Sequence, residues 1–459
     1  MFHDSAITRL IAQLSEFVAA HPAGTQLPST RELRERYRVS PVTVQKAIAQ
    51  LARAGLVATR PGAGTFTSRP PTVLEHADYS WQTLALGQAS MNTDAAERGT
   101  AVIEPGVYDL SSGYLDETLQ PTALLAQAAS RAARRPSSWS RPSLEGIDEL
   151  RQYFAQEVAA GVDPRNVLIT PGAQTALVTC FRSFARPGDT VLLESPTYHG
   201  TLLAVQSAGL VPCGIPADRD GIRTDLLGEA LTRTGARLVY AQPRWLNPSG
   251  SRLSDERRRH LHELLEARGA FLIEDDCAKD LDFGSSHFTP LVADDPRGHV
   301  VYVRSITKHN GPGLRIAAVI ARGPAIARLR SARTAEGFFV SSLLQHVAGE
   351  VLTSPTWERH LHRVRKELAR RRDVLIAALA QQRPDWALHI LPSCGVHLWY
   401  RLPEGSSEDR VVSETAKLGV RIASGKTYFP AEPPAPYVRI SYGSTPVDEL
   451  VAATENLAR

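Results

Sequence analysis

Lys308 stands in the run Ser305-Ile306-Thr307-Lys308-His309-Asn310-Gly311-Pro312-Gly313-Leu314-Arg315, directly after the apolar stretch 300–303. A primary amine placed after small hydroxyl residues and before a Gly/Pro turn is suited to attack a carbonyl and hold it as a Schiff base. The hydroxyls of Ser305 and Thr307 and the guanidinium of Arg315 are groups able to bind an anion beside it. A second candidate anion-binding element is Pro171-Gly172-Ala173-Gln174, which lies between an apolar run and a helical pattern. Backbone N–H groups of Gly172, Ala173 and Gln174 at a helix N-terminus suit an anion. His309, beside the lysine, is expected to pack or to meet solvent.

These residues need a scaffold, and the apolar pattern supplies one. Strand-like runs occur at 167–170, 190–194, 237–242, 271–274, 300–303 and 316–321, with helical patterns such as 174–184 and 255–267 between them. Alternation of this kind predicts a mostly parallel sheet with helices on both faces. Ligands bind such sheets at the loops after the strand carboxyl ends, where the polar motifs sit.

The N-terminal 69 residues read differently. Apolar residues at Ile7, Leu10, Ile11, Leu14 and Val18 have helical spacing. A second helix is expected from Thr30, turning Leu33 and Tyr37 inward, and a third from Pro41, with Ser40 as its cap. Val44, Ala47, Ile48 and Leu51 form the buried stripe of the third helix, leaving Thr43, Gln45, Lys46 and Gln50 outside. Two short strands, 56–59 and 65–67, flank a tip at 60–64. This order predicts a helix-turn-helix with a wing. The segment holds nine Lys/Arg against four Asp/Glu, which accounts for the whole of the chain's net charge of +4. Positive charge gathered in one module points to phosphate-bearing partners.

The bulk properties exclude several classes. At 459 residues the chain exceeds one ordinary core. No uncharged apolar run reaches membrane-span length, and no signal-peptide pattern opens the chain, so a cytoplasmic protein without membrane contact is expected. Cys180, Cys213, Cys277 and Cys394 are scattered without metal-ligand spacing, so free thiols and no metal are expected.

Leu27-Pro28-Ser29, Arg31, Val39-Ser40, Thr43-Val44, Ala47, Leu51, Gly55-Leu56 and Gly62-x-Gly64-Thr65-Phe66 together closely resemble the GntR family of bacterial regulators. The resemblance implies that Arg31, Ser40, Thr43, Gln45, Lys46 and the wing residues Arg60 and Gly62 face double-stranded DNA. Some relatives place arginines on the recognition helix where this chain has Pro41 and Gln45. Residues 106–459 resemble a fold-type I aminotransferase, and the whole chain resembles the MocR subfamily, which joins the two. Three parts are expected: a winged helix over 1–69, a linker over 70–105 and the aminotransferase-like part over 106–459. Within the last, a large portion is expected at about 165–355 and a small α+β portion at about 106–150 and 356–459.

That resemblance implies pyridoxal 5'-phosphate bound through Lys308. It implies that Tyr198, in Glu194-Ser195-Pro196-Thr197-Tyr198, stacks on the cofactor ring and that Asn247 bonds the ring oxygen. It pairs Asp275 with the ring nitrogen, which keeps that nitrogen protonated. Arg439, in Tyr437-Val438-Arg439-Ile440-Ser441, is implied to clamp a substrate carboxylate. Two positions depart from the pattern. Cys277 replaces a tyrosine that usually follows the aspartate by two residues, and Tyr198-His199-Gly200 lacks an arginine that some members carry. The implied protein is a dimeric regulator sensing a vitamer or amino compound. The alternative is an active transaminase with a DNA-binding appendage.

Overall fold

The computed structural model describes residues 6–68, 78–87, 93, 97, 102–158, 162–284 and 288–457. The chain divides into two compact units, Met1–Ala89 and Ser90–Arg459.

In the first unit, helices Ala6–Ala20, Thr30–Tyr37 and Pro41–Arg53 precede the antiparallel hairpin Val57–Arg60 and Gly64–Thr67. Leu10, Leu14, Leu27, Leu33, Val44, Ala47, Leu51 and Val57 form one core. Local chemistry sets the helix starts. Ser29 and Glu32 make a reciprocal capping box, and the Ser40 hydroxyl accepts from the Thr43 N–H at 3.1 Å. Gly64 shapes the hairpin: at φ +114° a Cβ there would lie 2.6 Å from Gln26 Nε2, which donates to the Ala63 carbonyl. The winged helix-turn-helix expected from the sequence is present. Most of the expected linker falls outside the described residues. The described part includes a short helix, Ser80–Leu86, which the sequence reading did not anticipate.

The second unit is built on an eight-stranded sheet. Its order is Val167–Thr170, Ala317–Ile320, Val300–Ser305, Phe271–Asp276, Leu238–Ala241, Thr190–Ser195, Val211–Asp218 and Gly221–Ile222. All pairings are parallel except those of Ala317–Ile320 with both neighbours and the terminal hairpin. Alternate residues serve opposite faces. Val191 and Leu193 pack with helix Ala173–Phe184, whereas Leu192, Val239 and Leu272 pack with Leu227, Leu261 and Leu265. All six expected strands are present. Val211–Asp218 was missed because its two prolines and a glycine interrupt the pattern, which is tolerated near a sheet edge.

A second, antiparallel sheet contains His397–Arg401, Tyr437–Ser441 and two short strands. It shares a core with Leu110, Leu115, Leu119, the later part of helix Trp357–Gln382 and helix Val447–Asn456. The expected subdivision needs correction. Ala128, Ala132, Leu150 and Phe154 join the core of the large sheet, so the segment 122–158 belongs with the large portion and not with the small one. An apolar stripe marks a buried face without saying which core it meets. Helix Trp357–Gln382 serves both, with Trp357 and Leu361 in the large core and Val364 to Leu379 in the small. No helix among the described residues is long and apolar enough to cross a membrane.

Candidate functional site

Lys308 lies in the short helix Thr307–Asn310, just past the end of strand Val300–Ser305. Its Nζ donates to the Gly113 carbonyl at 3.0 Å and lies 6.0 Å from the Trp245 ring centre. Burial holds its ammonium below the ordinary lysine range. The neighbouring Cys277 and Asp275 oppose that shift, and Arg439 reinforces it. A depressed lysine is closer to the neutral amine that a nucleophile requires.

Asp275 sits on the adjacent parallel strand, in register with Val303. Its Oδ2 accepts from the Tyr240 hydroxyl at 2.8 Å and from Gln242 Nε2 at 2.9 Å. Its Oδ1 is buried without a hydrogen-bond partner. Burial pushes the carboxyl up to about 6, although both donors favour the charged form. Gln242 holds more than Asp275. It reaches the Cys277 sulfur at 3.7 Å, and its Oε1 accepts from the Asn247 N–H at 3.1 Å.

Arg439 is buried, and among the described residues it has no carboxylate partner. Its Nη1 donates to Asn247 Oδ1 and contacts His397 Nε2, both at 3.2 Å, and Nη2 donates to the Ser111 carbonyl. Its guanidinium stands 5.0 Å from the Tyr428 ring centre, and its Nε is unpartnered. A buried cation held only by neutral acceptors is poised for an anion. Burial, then the nearby Arg439 and Lys308 cations, hold the His397 imidazole well below its usual range, so it accepts from Arg439 as a neutral ring.

At the other end of the site, Gly172 (φ +92°) is the N-cap of helix Ala173–Phe184. A Cβ there would lie 2.5 Å from Arg315 Nη2, so glycine is what lets the guanidinium approach this helix N-terminus. Ser305 Oγ accepts from the Thr307 N–H at 3.3 Å, and Thr307 Oγ1 is buried without a partner. The Gln174 side chain is used internally, donating to the Gly200 carbonyl at 2.7 Å. Tyr198 closes over Gly200, its ring within 2.4 Å of where a Cβ would stand. His309 does not meet solvent. It is fully buried, with Nε2 2.8 Å from Asp280 and its ring against Trp357.

The structure thus gathers the expected residues into two connected clusters, Lys308–Asp275–Asn247–Arg439 and Gly172–Ser305–Thr307–Arg315. An unpartnered Oδ1 on Asp275, an unpartnered hydroxyl on Thr307 and a glycine cradle beside Arg315 fit a phosphorylated pyridine with an aldehyde. In the first unit, Gln45 and Lys46 are exposed and Thr43 is half-buried. Arg31 is exposed and bridged to Glu35, and Arg60 stacks on Phe66 at 4.9 Å beside Gly62. The Ser40 hydroxyl is engaged by Thr43 at the helix start.

Comparison with known proteins agrees with both halves. The family model for aminotransferase class I and II matches residues 105–454, and that for bacterial regulatory proteins of the gntR family matches residues 8–67. The chain belongs to the MocR-type regulators. An uncharacterized HTH-type transcriptional regulator of Bacillus subtilis, YdfD, is 26% identical, covering 94% of this chain and 90% of that protein. A 2-aminoadipate transaminase of Thermus thermophilus is 29% identical over 77% of this chain and 90% of its own length. The solved alpha-aminoadipate aminotransferase of Thermus thermophilus, complexed with N-(5'-phosphopyridoxyl)-L-leucine, superposes with a TM-score of 0.73 at 27% identity. It covers 80% of this chain and 95% of that one. As a MocR-type chain, the protein combines a DNA-binding regulator domain with an aminotransferase-like domain, and the family implies pyridoxal phosphate.

Several residues of this MocR-type site escaped the sequence reading. Tyr240 lies inside an apolar strand and reads as core. Gln242, Trp245, His397 and Tyr428 carry no spacing signal. Ser111 and Gly113 act through backbone carbonyls, which any residue type provides.

Proposed function

We propose that this protein is a transcription regulator that holds pyridoxal phosphate through Lys308 and changes its DNA affinity when an amino compound or vitamer reaches that site. The buried, unpartnered Oδ1 of Asp275 carries this reading, because a buried oxygen without a donor is costly unless a ligand supplies one. In this reading the N–H groups of Gly172, Ala173 and Gln174 hold the phosphate with Ser305, Thr307 and Arg315. Tyr198 lies against the ring, Asn247 bonds its oxygen, and Asp275 keeps the proton on the facing ring nitrogen. The bound group supplies an aldehyde conjugated to an electron-withdrawing ring. Arg439 takes the carboxylate of an arriving amino acid.

We assign DNA contact to residues 1–69, with Arg31, Ser40, Thr43, Gln45, Lys46, Arg60 and Gly62 toward the duplex. Residues 70–105 serve as the linker and the remainder as the sensing part. A homodimer reading paired half-sites suits this arrangement. Coupling requires a ligand that binds the two states unequally.

The test is the visible spectrum of the purified protein with added pyridoxal phosphate, beside Lys308→Ala. A yellow band that borohydride abolishes, present in the parent and absent in the variant, is expected. No band in the parent would sink the cofactor assignment. Titrating amino acids against that band, with DNA affinity followed in parallel, then identifies the effector class. A second reading, an active transaminase, draws on the same Lys308, Asp275 and Arg439. Against it stands Cys277, whose thiol is a weak donor where a hydroxyl is usual. Steady turnover of an amino donor with a keto acceptor would favour the second reading.

A further inference from the structure

The third helix of the first unit, Pro41–Arg53, buries Val44, Ala47 and Leu51 and turns Val42, Gln45, Lys46, Ala49 and Arg53 to the opposite side. Two of these outward residues are unexplained by the fold. Val42 is an apolar side chain left 57% exposed in the first helical turn. Gln45, one turn on, is an exposed amide with no hydrogen bond among the described residues. They are three residues apart and share a face, so a helix lying in a groove presents them to neighbouring bases about 4.5 Å apart along its axis.

The chemistry of the two side chains restricts what they can read. In the major groove adenine shows an acceptor and a donor, N7 and N6, which a glutamine amide matches with its own donor and acceptor. Guanine shows two acceptors, N7 and O6, which call for the paired donors of arginine or lysine. The outward arginine of this helix is Arg53, eleven residues and about 16 Å from Val42, too far to serve the bases under the first turn. Lys46 is adjacent to Gln45 but is a flexible point charge suited to phosphate. A valine offers only apolar contact, and thymine alone carries a methyl group at the major-groove edge.

We propose that each operator half-site contains an adenine read by Gln45 next to a thymine whose methyl group packs on Val42, so that base discrimination by this helix falls on A·T pairs. The proposal rests on the DNA-binding role of the first unit.

The experiment uses the full-length protein and selection from a randomised double-stranded library. Affinities for the selected site are then measured at fixed salt. Replacing the adenine by guanine is expected to weaken the parent by about 5- to 150-fold, the range of one bidentate base contact. Gln45→Arg is expected to invert that preference, selecting G·C at the same position. Replacing the thymine by uracil, which lacks only the methyl, should weaken the parent and leave Val42→Ser unaffected. Lys46→Ala should weaken all sequences alike and reduce the salt dependence by about one ion. Position 45 is solvent-exposed, and circular dichroism of its variants checks that they fold. If Gln45→Arg and Gln45→Ala select the parent's motif, the proposal is overturned. It is overturned equally if the parent binds every duplex alike with steep salt dependence, although phosphate contact then stands. Absence of any DNA binding would remove the DNA-binding role itself.

Discussion

Asp275 and Arg439 carry opposite requirements in one site. The aspartate has two donors on one oxygen and none on the other, and burial has already pushed it up to about 6. A cationic group at Oδ1 would offset that burial. Asp275→Asn is therefore expected to weaken pyridoxal phosphate binding by tenfold or more, measured by titrating the visible band. Unchanged affinity would mean that Oδ1 faces no cation. Arg439 is held by Asn247, His397 and the Ser111 carbonyl, none of them charged acceptors. Arg439→Gln should cost a carboxylate ligand about 1.5–3 kcal/mol, the worth of a charge-assisted hydrogen bond. Amines lacking a carboxylate should bind the variant as they bind the parent. Calorimetric titration with matched pairs of amino acid and decarboxylated amine checks this, and an equal loss for both members would place the carboxylate elsewhere.

At the scale of single elements, caps and interruptions explain what formed. Helix Pro41–Arg53 starts where it does because Ser40 accepts from the Thr43 N–H and Pro41 has no N–H that needs an acceptor. Ser40→Ala is expected to destabilise the first unit by about 1 kcal/mol, read by urea denaturation of the full chain. A change below a few tenths would mean that solvent caps the helix equally well. This start was legible in the sequence because a cap, a proline and an apolar stripe coincide within twelve residues. Strand Val211–Asp218 was not legible, since its place at the sheet comes from pairing with Thr190–Ser195 and not from its own pattern.

In the whole molecule, among the buried carboxyls outside the reacting cluster, Glu194 and Glu274 are held by backbone N–H groups without a cation among the described residues. Glu194 accepts from the Gln242 N–H at 2.6 Å, and Glu274 accepts from the Leu291 and Val292 N–H groups. Burial outweighs those bonds and pushes both carboxyls up to about 8. A carboxyl raised on folding stabilises most when protonated. The contribution is complete below the unfolded value near 4.5 and is lost as pH rises through about 8. The cofactor-free protein should therefore lose stability between about pH 5 and pH 8 and change little from these groups above that, with each contributing on the order of a few kcal/mol. Thermal denaturation across that range should show a falling Tm, and Glu274→Gln should flatten the slope. A Tm that rises with pH in the parent would show that both groups ionise freely in the fold.

The local features of this protein were determined by the sequence alone. Lys308 with its hydroxyls and turn, the capped helices with their wing, the six alternating strands and the basic excess of the first 69 residues each depend on neighbours a few positions away. Tertiary structure decided what depends on distant segments. It brought Gln242 beside Asp275, Cys277 and Asn247, set His397 and Ser111 against Arg439, and assigned the helices of 122–158 to the large core. It also decided the state of Asp275, because the protonation of a carboxyl follows from burial and from donors on other strands, and neither is present in a run of adjacent residues.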